Sequence, residues 1–149
     1  MQKYIYLMLF VGIPLFVFSQ KRNENYKMHI KQSEGILKID GKLDEPAWLS
    51  AAAVSDFMMV NPFDTLRSKL RTDVRMTYDD KYIYISAECF LQSQSNYVVE
   101  SLKRDFSFGS NDNFLVFIDT FEDKTTGFSF GANAAGAQWD GQMSEGAKM

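Results

Sequence analysis

Apolar and polar residues alternate with a period of two along much of this chain, and that spacing predicts β-strands. The clearest case is Thr72–Tyr78, which places Val74, Met76 and Tyr78 on one face, followed by Tyr82–Phe90, where Ile83, Ile85, Ala87 and Cys89 alternate onto one face. Asp79-Asp80-Lys81 between them reads as the turn of an antiparallel hairpin. Asn113–Asp119 alternates Phe114, Val116 and Ile118 against Leu115, Phe117 and Asp119, so it is apolar on both faces. Such a strand is expected in the middle of a sheet rather than at its edge.

The pattern upstream is mixed. Lys27–Ile39 carries two short apolar alternations around Ser33-Glu34-Gly35, which predict a first strand or hairpin. Apolar residues at 37, 39 and 43 bracket Asp40-Gly41, a dipeptide suited to the positive φ angles of a two-residue turn, so a strand should end there. Asp44 then reads as a helix N-cap, with Glu45-Pro46 in the first turn and Trp48 as the apolar anchor of a short helix. Ala51–Val60 leads into Asn61-Pro62, a loop marker, and Asn61–Leu70 reads as a polar connection. Gln92–Asn96 is a second polar loop.

Composition narrows the function classes. The chain has 149 residues, enough for one domain with a core, and a net charge of −3. Its 16 Lys and Arg are scattered, so no basic field is available to neutralise phosphates and nucleic acid is not expected as a partner. Lys3 followed by the apolar run Tyr4–Phe18 and ending at Ser19-Gln20 has the charged start and short hydrophobic region of a secretory signal. Cleavage is expected after Ser19, giving an exported chain located in the periplasm, at the outer membrane or outside the cell, with an uncleaved anchor as the minor alternative. Cys89 is the single cysteine, so no internal disulfide forms, and alternation predicts that it is a small buried apolar residue. The single histidine, His29, lies far off in a polar segment, which removes a Cys–His nucleophile. Gly-rich phosphate loops and zinc spacings are lacking.

Several of these stretches, taken in order, resemble one family. The strand, Asp40-Gly41 turn and Leu43-Asp44-Glu45-Pro46-Ala47-Trp48 segment is similar to the opening of the family 9 carbohydrate-binding modules, in particular the family-9-like domain at the front of large secreted bacterial proteins. Thr72–Ile85 resembles the second landmark of that family, a strand, an acidic turn and a strand opening on an aromatic-aliphatic pair. Lys103-Arg104-Asp105, Ser110-Asn111-Asp112 and the strand Asn113–Phe121 resemble the third. Thr126–Asp140 resembles the family's Gly-aromatic strand and closing hairpin. The resemblance spans about Ile36 to Asp140 and implies a mostly β fold, an antiparallel sandwich of the immunoglobulin-like or jelly-roll type with one or two short helices. Relatives continue with further strands, so this chain is expected to lack its final ones. On this reading residues 1–19 are the signal peptide, 20–35 a lead-in, and 36–149 an incomplete family-9-like domain.

What the resemblance implies for function is non-catalytic binding of polysaccharide or oligosaccharide ends, by stacking a sugar ring on aromatic side chains within a larger polysaccharide-processing protein. Asp, Asn, Gln and Arg would satisfy the hydroxyls. The candidate carbohydrate-binding residues are Trp139, Gln138, Asn133 and Arg104. For Trp139 a cross-strand core contact is as good a reading as stacking, and alternation puts Gln138 and Asp140 on the face opposite it. The family also implies a structural calcium, for which Asp112, Asp119 and Asp123 are the candidate ligands, carboxylate oxygens being the type that ion prefers. Asp at loop ends is equally ordinary turn chemistry. No enzyme activity is expected of this chain itself. The alternative function is a structural or interaction domain that docks onto an outer-membrane-associated β-domain, reached through a missing C-terminal part, and binds no sugar.

Overall fold

The computed structural model describes residues 26–62, 66–91 and 97–144. The expected signal segment, its cleavage point and the Gln92–Asn96 loop lie outside the described residues. The chain is mostly β and forms two three-stranded sheets in a sandwich-like arrangement. In chain order the elements are β1 (Lys31–Gln32), helix α1 (Pro46–Ser50), β2 (Thr72–Tyr78), β3 (Ile83–Cys89), a 3₁₀ turn (Phe108–Ser110), β4 (Asn113–Ile118), β5 (Gly127–Asn133) and β6 (Gln138–Met143). The first sheet has the order β1-β2-β3 and the second β4-β5-β6.

The β2–β3 hairpin forms where the alternation places it. Val74 pairs with Ala87, Met76 with Ile85 and Tyr78 with Ile83, which puts the apolar residues of both strands on one face. The turn is closed by Asp79, whose carboxylate accepts hydrogen bonds from the Tyr84 hydroxyl at 2.7 Å and from the Lys81 and Tyr82 N–H groups at 2.8 Å. These donors, the Tyr84 hydroxyl foremost, hold the Asp79 carboxyl below its ordinary pKa. The opposite face is polar but ordered, with Arg75 bonded to Glu88 at 2.6 Å and the Thr77 hydroxyl donating to Lys31 O at 2.8 Å.

Three expectations about the first third of the chain are corrected. Among the described residues the only strand there is the two-residue β1, and it pairs with β2 in parallel, so the sheet is not wholly antiparallel. No strand runs into Asp40-Gly41: the turn exists, with Gly41 at φ 82° and the Asp40 carboxylate accepting from Lys42 N–H, but Ile36 and Ile39 are 96% and 79% exposed. Without a buried face to repay backbone ordering, an alternating stretch of this length has no reason to stay extended in a ladder. The helix starts one residue later than expected. Glu45 is the N-cap and Pro46 the first helical residue, while the Glu45 carboxylate accepts from Lys38 N–H instead of capping the helix. Trp48 is the anchor that the pattern predicts, 3% exposed beside the equally buried Ala47, and α1 packs on β2.

Strand β4 is the fourth correction. Although apolar on both faces, it lies at the end of its sheet rather than in the middle. One face of this second sheet, carrying Asn113, Asn133, Ser129 and Trp139, is covered by the segment that precedes it. The Asn133 amide donates to Ser101 O at 2.7 Å, Phe106 is buried, and the Phe108 ring meets Trp139 edge-on at 6.0 Å. Gly131 suits this layer because a Cβ there would collide with the Leu115 side chain and the Phe114 carbonyl across the ladder. The other face carries Phe114, Val116, Ile118, Phe128 and Phe130, and the last two are 38% and 50% exposed.

Candidate functional site

The four residues proposed to hold sugar do not converge. Asn133 is buried at the end of β5, where its side-chain oxygen accepts from Ala135 and Ala137 N–H at 3.1 and 2.9 Å and one N–H of its amide donates to Ser101 O at 2.7 Å. It shapes the β5–β6 turn and lines a cleft between the two sheets, which Trp139 does not line. Trp139 is half-buried, packs against Phe108 and lies over Gly141, so its ring is not a free platform. Arg104 and Gln138 do come together, on the side of β6 opposite Trp139. The guanidinium donates to Gln138 Oε1 at 3.0 Å and pairs with Asp140, with Asp105 3.8 Å away. This is an exposed ion-pair cluster in which each group already has a partner.

The three proposed metal ligands are also apart. Asp112 and Asp119 flank the two ends of β4, which at the rise of a strand separates them by about 20 Å. Each carboxylate is engaged separately, Asp112 by a distant segment and Asp119 and Asp123 by their own turns. Asp112 accepts from Val98 N–H at 2.9 Å, and Asp119 from Phe121 and Lys124 N–H at 3.2 and 2.9 Å. Asp123 accepts from the Thr126 hydroxyl and from the Thr126 and Thr125 N–H groups, which together hold its carboxyl well below the usual carboxylate range. Among the described residues no three His, Cys, Asp or Glu side chains are grouped around a common point.

A different site emerges between the sheets. A cleft of about 460 Å³ is lined from the first sheet by Thr72, Ala87 and Cys89 and from the second by Phe114, Ala132 and Asn133. Leu70, Phe90, Leu91 and Tyr97 form its flank, and Asp112 and Asn113 its polar corner. Phe90 and Tyr97 are 45% and 57% exposed, so both rings are open to a ligand. Arg71 lies over the Phe90 ring at 5.3 Å, held there by paired bonds of 2.7 and 2.6 Å to Asp73, which also accepts from the Ser55 hydroxyl at 2.8 Å. Those bonds, Arg71 first, lower the Asp73 pKa and raise that of Arg71. Asn113 donates its amide to Phe108 O at 2.7 Å and to Asn111 O, both bonds coming from the nitrogen. Cys89, predicted buried, is exposed at the cleft wall, because the strand face that would cover it ends at the gap between the sheets.

The cleft combines flat rings with a few fixed polar groups at one corner, the pattern of small-ligand sites. Sequence reasoning missed Phe90, Tyr97 and Phe114 as a set. Phe90 and Tyr97 bound a polar loop, while Phe114 reads as an ordinary strand residue, and no local spacing joins them. The chain matches no protein-family model, no curated protein and no solved structure.

Proposed function

We propose that this chain is a non-catalytic carbohydrate-binding β-domain whose ligand lies in the cleft between the two sheets. The observation that carries the reading is the juxtaposition of Phe90, Tyr97 and Phe114 with Asp112 and Asn113 around one cavity large enough for one or two sugar rings. The apolar face of a pyranose stacks on such rings, and its hydroxyls find acceptors at Asp112 and Asn113 and donors on Arg71 beside Phe90. The test is calorimetric titration of xylo- and cello-oligosaccharides into the folded protein, with and without calcium. Tyr97→Ala should weaken binding about tenfold, while Arg104→Ala, on the β6 edge, should leave it unchanged. The reverse pattern would move the site to the Arg104–Gln138 cluster. No heat from folded protein with either sugar series would sink the carbohydrate reading.

A second reading, a structural domain that docks onto another β-domain and binds no sugar, rests on one specific observation. Phe128 and Phe130 stand exposed side by side on the open face of the second sheet, where a soluble single domain ordinarily presents polar residues.

A further inference from the structure

Among the described residues, strand β4 is an edge without any of the devices that protect edges. Between Asn113 and Ile118 it has no charge, no proline and no glycine, and Phe117 is 48% exposed. Natural edge strands are normally short, charged, bulged or covered, because their unpaired backbone groups accept another strand. The register shows which groups these are. Asn133 donates its N–H to Ala137 O and accepts from Gly136 N–H, so its backbone faces β6 and the Asn113–Asn133 pair across to β4 is a non-bonded one. Alternation then turns the N–H and C=O of Leu115 and Phe117 away from β5, and among the described residues neither has a backbone partner. The preceding segment reaches this edge only at its start, where Asp112 N–H donates to Val98 O.

We propose that this edge pairs with the same edge of a second copy of the chain, β4 antiparallel to β4 about a twofold axis at Val116. The strand is self-complementary in that register alone. Leu115 stands opposite Phe117 of the second copy, Val116 opposite Val116 and Phe114 opposite Ile118, so every pair from Phe114 to Ile118 is apolar, and at the two ends polar Asn113 meets Asp119 without two charges facing each other. Leu115 and Phe117 are the outward-facing residues, so each of their two symmetry-related pairs exchanges both ladder hydrogen bonds. Centring the axis on Leu115 would set Asn113 against Phe117, and centring it on Phe117 would set Asp119 against Leu115. The product is a six-stranded sheet in which the exposed Phe128 and Phe130 faces become continuous. An edge contact of this length is smaller than the roughly 1,200 Å² of small stable interfaces, so the association is reversible and depends on concentration. The pairing does not rest on the sugar reading, although Asn113 and Phe114 at the start of β4 also line the cleft.

Sedimentation velocity on the intact protein, from low micromolar to near-millimolar concentration, tests this. The expected result is a monomer–dimer equilibrium. Phe117→Pro removes only an outward N–H, which edge strands tolerate, and should weaken the dimer about tenfold or more while the circular dichroism spectrum is unchanged. Phe117→Lys places a charge on the same edge and should do the same, which keeps the test valid if the proline variant fails to fold. A chain monomeric at all concentrations, or a dimer that survives both substitutions, would overturn the proposal; the former would leave the edge to a strand of another polypeptide.

Discussion

Asp73 shows how one buried carboxylate organises its surroundings. It is 2% exposed on the polar face of β2, yet it is satisfied by Arg71 and by the Ser55 hydroxyl, and through Arg71 it orients a cation over Phe90 at the cleft. Its folded pKa is lowered, so its contribution to stability is complete above the unfolded carboxyl pKa of about 4 and is lost as the pH falls through the folded value. Thermal unfolding followed from pH 7 downward should therefore show a decline below about pH 4 that is shallower in Asp73→Asn, a variant already less stable at pH 7. An equal acid slope in both proteins would mean that the Arg71–Asp73 pair does not persist in solution. At this scale the sequence is informative about turn carboxylates such as Asp79, whose bonds are local. It is silent about Asp73, whose Ser55 partner arrives from a distant segment.

Among the elements, α1 and the β2–β3 hairpin are the parts whose formation follows from local pattern. The hairpin has its alternation, its acidic turn and the cross-strand apolar pairs all in agreement. Helix α1 is only five residues long and has no side-chain cap, so its stability comes from burying Trp48 and Ala47 rather than from helical propensity. Trp48→Ala should cost about 3–5 kcal/mol in urea unfolding. A cost near zero would show that α1 is not docked on β2 in solution. Strand β4 is the instructive failure. Its sequence asks for neighbours on both sides, and the described chain supplies one, which is the physical origin of the self-pairing proposed above.

Taken whole, the molecule buries few large apolar side chains: Trp48, Val74 and Phe106, with Ala47, make up the fully buried apolar set among the described residues. Phe128, Phe130, Ile83 and Tyr82 remain exposed on or beside sheet faces. Such a surface should bind the dye ANS in native buffer. The double substitution Phe128→Ser and Phe130→Ser should remove most of that fluorescence while changing stability by no more than about 1 kcal/mol. Undiminished fluorescence in the folded double variant would place the sticky surface elsewhere.

Sequence by itself determined the β class, the β2–β3 hairpin, the Trp48 anchor and the placement of Gln138 and Asp140 opposite Trp139, because each depends on a period of two or on a turn a few residues long. It did not determine that Ile36–Ile39 stays out of the sheets, that β1 pairs in parallel with β2, that β4 lies at an edge, or that Asn133 ties its own turn to Ser101. Nor did it show the cleft, whose walls come from residues as far apart as Leu70 and Ala134. Alternation states which face a side chain joins, but which strand lies alongside, and what is left open between two sheets, depends on contacts between distant segments. Those contacts are settled only when the whole chain divides its limited apolar surface among them.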